Sequence, residues 1–267
     1  MKFLLTSCLV LIPLIASAQP STASLTRAQT KEAERRLSVM GYWTGAIDGF
    51  FDPVTQSALI AFQKWTGRPT TGQPTIDALE SIRASDAPKA RETGYAHVEV
   101  DLDRQVLLVV NDGGGVRVLP ISSGSGNPFL DEGQMSVAYT PRGRFVVYEK
   151  HLGWESGPLG SLYYANYISG GVAIHGSRNV PAAPESHGCI RIPVFAAREV
   201  SRLMPEGTIV LVYDKVSFVS AKSWAENPKL KQAAMVNSAA TEYVDVKNTP
   251  KTRAIIKRTV RELTERN

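Results

Sequence analysis

The sequence predicts an α+β protein. A small three-helix module comes first, followed by a mainly β domain (a mixed sheet or sandwich) with one short helix after Cys189. Three observations carry that expectation. Apolar residues over 25–83 recur at helical spacing, and from His97 onward they alternate as strands do. Between the two, residues 84–95 are polar with few large apolar groups and read as a linker. Side chains return to one face every second residue on a strand but about every 3.6 residues on a helix, so the change of period marks a change of domain.

The 267 residues suffice for one large core or two modest ones. With 43% hydrophobic and 21% charged residues the composition is that of a soluble globular protein. The formal charge of +5 is mild and concentrated near the C-terminus, so no nucleic-acid partner is expected. Residues 1–18 read as an export signal: Lys2, an apolar run from Phe3 to Ile15 broken by Pro13, then Ala16-Ser17-Ala18 as a small-residue cleavage site. The run is short for a membrane span, so a cleaved signal and a mature protein in the periplasm are expected, the alternative being an uncleaved anchor. Cys8 lies inside that run. Cleavage leaves Cys189 without an intramolecular partner, and an unpaired thiol in an oxidising compartment is a liability unless it is used.

Thr26-Arg27-Ala28-Gln29 has the form of a capping box, followed by Ala33, Leu37 and Met40 at helical spacing. Gly41-Tyr42-Trp43 ends that helix and Asp48-Gly49 makes a turn. Asp52-Pro53 opens a second helix, with Ala58, Phe62 and Trp65 on one face, and a third spans Thr75 to Arg83. Leu37, Gly41-Tyr42, Gly45, Ile47-Asp48-Gly49, Thr55 and Phe62-Gln63 together resemble a family of small helical peptidoglycan-binding domains, with Asp52 where that family usually has glycine. The resemblance implies that residues 25–83 hold wall glycopeptide and raise its local concentration.

The second domain is expected over 96–214. Val98, Val100 and Leu102 alternate, Gln105 to Asn111 is a nearly continuous apolar strand, and Asp112-Gly113-Gly114-Gly115 turns it back through Val116 to Ile121. Residues 122–143 read as loop, with Thr140 to Phe145 turning into a strand over 145–149. In the Gly- and Tyr-rich stretch 151–171, Trp154, Tyr163, Tyr164 and Tyr167 are either cleft walls or packing. His97 and His151 stand outside any motif and read as incidental. Pro193 opens a helix with Phe195, Ala196, Val200 and Leu203 inward, and Thr208 to Tyr213 closes the sheet. Residues 215–267 are a basic extension, either an amphipathic helix through Ile255, Ile256, Val260 and Leu263 or a solvated tail.

The chemistry concentrates in Ser186-His187-Gly188-Cys189-Ile190-Arg191, with Gly171 to Ile174 leading into His175-Gly176 upstream. A thiol is mostly protonated at neutral pH and needs a base, which an imidazole in hydrogen-bond reach supplies. Gly188 lets consecutive N–H groups converge on an oxyanion. His175-Gly176, a spacer and Ser-His-Gly-Cys-Ile-Arg resemble the signature of the L,D-transpeptidases, the YkuD-type catalytic domain. Asp101-Leu102-Asp103, Gln105 and Thr140-Pro141-Arg142-Gly143-Arg144-Phe145 add to that resemblance.

The resemblance implies that Cys189 attacks a stem-peptide carbonyl to give a thioester. His175 acts as base, its second nitrogen held by the Gly176 carbonyl, and N–H groups around His187, Gly188 and Cys189 form the oxyanion hole. Ser186 braces the loop, and Arg191 either binds a substrate carboxylate or favours the thiolate. Tyr164 and Tyr167 are candidate substrate contacts. The implied partner is peptidoglycan, with a peptide amine, an outer-membrane protein or water as acyl acceptor; no cofactor or metal is implied, and a monomer is expected. The alternatives are an L,D-carboxypeptidase or cysteine-dependent wall peptide hydrolase, and a non-catalytic wall-binding protein.

Overall fold

The computed structural model describes residues 23–131, 133–157 and 159–215. The expected export signal, Cys8 and all but the first residue of the basic extension lie outside the described residues. The architecture is the expected one, a helical front module and a mainly β domain with one helix after Cys189.

Helix α1 (Arg27–Val39) begins with the full capping box, Thr26 and Gln29 satisfying each other's backbone N–H. Asp52 caps α2 (Pro53–Trp65) and Thr75 caps α3 (Ile76–Arg83), so three short helices start where their first N–H groups find a side-chain acceptor. Leu37, Ala58, Phe62, Leu79 and Ile82 close the helical core.

That core continues into the β domain. Strands β1 (His97–Asp101), β2 (Val106–Val110), β3 (Val116–Pro120), β6 (Gly143–Val146) and β12 (Ile209–Tyr213) form one sheet in the order β3-β2-β1-β12-β6. Val106, Leu108 and Val110 face the helices while Leu107 and Val109 face the opposite way, which is why β2 is apolar at every position. Gly41 presses against the sheet with φ +94°, and a Cβ there would lie 2.3 Å from the Val116 carbonyl oxygen. Lys64 Nζ donates to the Ile121 carbonyl at 2.7 Å, and the Arg91 and Glu92 N–H groups donate to the Glu99 carboxylate at 2.7 and 3.0 Å. The segment before β1 is thus fastened to it at Arg91 and Glu92.

The second sheet runs β11-β10-β9-β7, built from β7 (Glu149–Lys150), β9 (Gly160–Ser169), β10 (Val172–Ser177) and β11 (Ile190–Pro193), with β8 (Trp154–Gly157) paired to β9. Its inner face and α4 (Val194–Leu203) meet the first sheet through Val98, Val100, Ile174, Ile190, Ile192, Ala196, Ala197 and Val200. Phe195, expected inward, is 41% exposed, and Ala197 faces the core instead. A small residue is required there, because a Cβ on Gly176 would lie only 2.5 Å from that of Ala197.

The stretch 122–143, read as loop, contains a hairpin of β4 (Pro128–Asp131) and β5 (Gln134–Val137), and the Tyr-rich stretch contains all of β8 and β9. Leu130, Met135 and Val137 are exposed, so the first hairpin has no buried face to impose alternation on its sequence.

Candidate active site

Strands β10 and β11 run parallel, with Ile174 opposite Ile190 and His175 opposite Arg191. Alternation sends Ile174, Ile190 and Ile192 into the core and leaves His175 and Arg191 together on the other face. Cys189 immediately precedes β11. Its thiol donates to the Gly171 carbonyl at 3.6 Å, in the turn that opens β10, and the Ala173 backbone N–H reaches the sulfur. The apolar lead-in to His175 therefore folds back as one wall of the thiol's own setting. Cys189 remains partly exposed.

His175 is 6% exposed, and its Nδ1 pairs with the Gly176 carbonyl at 3.0 Å. Burial lowers its pKa to about 4, the Gly176 carbonyl opposing and the Arg191 charge adding to the shift. Nε2 makes no hydrogen bond among the described residues, and it is not sealed either: the buried, partnerless side-chain atoms there are Tyr42 Oη and Ser57 Oγ. Burial likewise pushes the Cys189 thiol up, against the Ala173 N–H and the Arg191 charge. Burial thus disfavours both charged forms, the imidazolium and the thiolate.

The loop before Cys189 is braced from several sides. Ser186 Oγ donates to the Cys189 carbonyl at 2.5 Å and accepts the Gly188 N–H at 3.0 Å, which commits that N–H. The N–H groups of His187 and Cys189 have no acceptor among the described residues. Gly188 sits at φ +142°, and a Cβ there would meet the Tyr139 carbonyl oxygen at 2.9 Å. Thr140 Oγ1 donates to the Gly188 carbonyl at 2.7 Å and accepts the Gly124 N–H at 2.8 Å, a bracing role in addition to the turn read from its motif. Ser122 exchanges backbone hydrogen bonds with Arg191, and Ser123 accepts the Ser186 N–H. The His187 ring is exposed and packs on Phe129 at 4.7 Å.

A β-bulge lies opposite His175: Ile174 pairs with Asn166 and Gly176 with Tyr163, so Tyr164 and Ala165 share one partner. Tyr164 takes φ +50° to make it, a strained backbone for a tyrosine, and its ring is half-buried against the core and against Tyr163. Tyr167 pairs with Ala173, its hydroxyl donates to Glu155 Oε2 at 2.9 Å, and burial followed by the nearby Glu155 and Cys189 charges holds that hydroxyl well above the usual phenol range. Of the two tyrosines singled out from sequence, Tyr167 borders the thiol and Tyr164 shapes the strand behind His175. Glu155 and Ser122 were not singled out, and Thr140 only as part of a turn motif; each acts through a partner remote in sequence, and no local pattern announces that.

The YkuD model, an L,D-transpeptidase catalytic domain, matches residues 95–212, and the peptidoglycan binding domain model matches residues 26–82. No curated protein matches the chain. Among solved structures, the L,D-transpeptidase from Xylanimonas cellulosilytica is 36% identical over 74% of this chain and 98% of its own, with a TM-score of 0.67. The L,D-transpeptidase from Stackebrandtia nassauensis is 21% identical over 73% of this chain and 97% of its own, with a TM-score of 0.44. The chain belongs to the L,D-transpeptidase family, carrying a YkuD catalytic domain behind a peptidoglycan-binding module.

Proposed function

We propose that the protein is a Cys189-dependent L,D-transpeptidase that cuts the tetrapeptide stem of peptidoglycan after its L-centred third residue and passes the acyl group to an amine. The observation that carries this proposal is His175: buried, held through Nδ1 by the Gly176 carbonyl, and aligned across β10–β11 with the segment that bears the thiol.

A neutral imidazole is a competent base, and a thiol with a raised pKa needs one. As the sulfur attacks the stem carbonyl, His175 takes the thiol proton. A C–S bond forms and the oxygen gains negative charge, which the N–H groups of Cys189 and His187 are free to accept; Gly188 is excluded because Ser186 already holds its N–H. His175 then gives its proton to the departing amine, and the C–N bond breaks to leave a thioester. In the second half an acceptor amine attacks, nitrogen replaces sulfur, and the proton returns through His175 to the sulfur. Arg191 disfavours the imidazolium and supports the thiolate, which keeps proton transfer tied to bond formation.

Residues 96–214 would perform this reaction and residues 25–83 would hold the wall, in the periplasm of a cell that exports the chain by residues 1–18. The test is to incubate the purified protein with sacculi and analyse the muropeptides. Dimers linked between third residues are the expected product. Trimmed tripeptides alone would make it an L,D-carboxypeptidase, and wall binding with no product would make it a scaffold.

A further inference from the structure

Lys64 lies in the last turn of α2, inside the helical module, yet it is only 7% exposed and its ammonium reaches out of that module. Among the described residues its one hydrogen bond is the 2.7 Å contact to the carbonyl of Ile121, just past the end of β3. Burying an ammonium is costly, and folds that do so commit the charge to a partner. Ile121 opens a three-residue segment, 121–123, that grips the nucleophile segment on both sides of Cys189. After Cys189, Ser122 and Arg191 exchange backbone hydrogen bonds at 3.0 and 3.1 Å; before it, the Ser123 carbonyl accepts the Ser186 N–H at 2.9 Å. Segment 121–123 is supported in turn by Gln105, which accepts the Ser123 N–H at 2.9 Å and donates to Ser123 Oγ at 2.8 Å, at a strained φ of +54°. Its neighbour Arg104 donates to the Trp65 carbonyl at 3.2 Å, and the guanidinium lies 4.8 Å from the centre of the Trp65 ring. The end of α2 thus meets both arms of this brace through consecutive residues, Lys64 and Trp65.

We propose that Lys64 is a positioning residue for the reaction at Cys189, holding segment 121–123 so that the His187 and Cys189 N–H groups keep the spacing an oxyanion needs. This rests on the transpeptidase proposal for the step it serves. Lys64 touches no reacting atom; it acts through Ile121. The Ile121 carbonyl and the Ser122 N–H belong to one rigid peptide plane, so the donor that fixes the first also aims the second at the Arg191 carbonyl. A charged donor holds that plane more firmly than a neutral one. Without it the buried carbonyl is left unsatisfied, and any turn of the plane toward another donor loosens the Ser122–Arg191 pair. The N–H groups at stake lie between Ser186 and Arg191, the two points that segment 121–123 anchors. An oxyanion site works through donors fixed in advance, so a displacement of under about 1 Å slows the reaction. The helical module then serves the catalytic loop as well as the wall.

The experiment compares the full chain with its Lys64→Met variant, using a soluble tetrapeptide stem that carries no glycan for the helical module to hold. Three quantities are read: the rate of thioester formation against stem concentration, the rate at which iodoacetamide alkylates Cys189, and amide hydrogen exchange at Ser186 and Arg191. Alkylation displaces iodide from carbon and builds no oxyanion, so it reports the thiol without the N–H groups. Lys64→Met is expected to lower the maximal acylation rate about 10-fold at an unchanged half-saturating concentration. Alkylation should keep its rate, while exchange at Ser186 and Arg191 should quicken about 10-fold. Lys64→Gln, polar but shorter, should give the same pattern and serves where Lys64→Met does not fold. Lys64→Arg, which keeps a charged donor, should recover most of the rate. An unchanged acylation rate, equal losses in acylation and alkylation, or a Lys64→Arg protein as slow as Lys64→Met would overturn this inference alone. Absence of any thioester in the unsubstituted protein would overturn the transpeptidase proposal; exchange at Ser186 and Arg191 would then decide by itself whether Lys64 holds the segment, and unchanged exchange would refute that too.

Discussion

His97 and His175 both lie in strands, and both are buried. Their surroundings differ in one respect. His97 is satisfied at both ring nitrogens, Nδ1 by the Tyr95 carbonyl at 2.9 Å and Nε2 by Glu99 Oε1 at 3.0 Å. The same carboxylate takes the Arg91 and Glu92 N–H groups and, on its other oxygen, the Tyr213 hydroxyl at 3.1 Å. His97 was read as incidental from sequence, yet it pins the segment between the two domains to β1. His175 has one nitrogen held and the other without a hydrogen bond among the described residues, on the strand paired with the one that Cys189 immediately precedes. A fully bonded ring has nothing left to exchange, whereas a half-bonded one is oriented and still free to accept a proton.

Substitution at the two positions should separate along that line. Cys189→Ala and His175→Gln are each expected to lower cross-linking by at least about 10³-fold while sacculus binding persists. Substantial activity in the Cys189 variant would remove the thiol from the mechanism. His97→Ala should do the reverse. Losing one member of a buried hydrogen-bonded pair costs about 2–4 kcal/mol, read as a fall of roughly 5–15 °C in Tm, with activity per folded molecule retained.

The open nitrogen also predicts a pH dependence. His175 stays neutral down to about 4, so acylation by a stem peptide should be level from neutral pH to about 5 and fall below that. Because the folded value lies below the ordinary 6.5, the unfolded chain binds more protons between them. Stability present above pH 6.5 is therefore lost as pH falls through about 4, by about 3 kcal/mol from this group. An acid limb centred near 6.5 would contradict the buried, neutral setting. A smaller effect is expected at the loop: Gly188→Ala should cost about 1–3 kcal/mol through its φ of +142° and the Tyr139 carbonyl, and should slow acylation by shifting the neighbouring N–H groups. A crystal structure of that variant with the loop unmoved would refute this.

The helical module calls for its own test. A separate binding module, as residues 25–83 read from sequence, could be deleted with the chemistry left intact. In the structure that deletion would bare Val106, Leu108, Val110 and Val118, so loss of solubility or stability is the expected result, measured by thermal unfolding of the truncated chain.

The readable parts of the chain were those whose cause is local. Thr26, Asp52 and Thr75 cap helices by bonding their own neighbours, and β2 declares two buried faces through five consecutive apolar residues. The β4–β5 and β8–β9 hairpins went unseen because their outer residues are exposed and follow no period. Phe195 was put on the wrong side of its helix because the deciding contact is Ala197 against Gly176, twenty-one residues away in the chain.

By itself the sequence determined the two-domain α+β plan, the clustering of Cys189 with His175 and His187, and the backbone carbonyl that orients His175. All of these follow from motifs or from neighbours along the chain. Only the tertiary structure decided that burial disfavours the charged form of His175, that Ser186 takes the Gly188 N–H, and that the Tyr167 hydroxyl donates to Glu155. Burial, and the field at a site, are set by whatever the fold packs around it, and those groups come from strands distant in the chain.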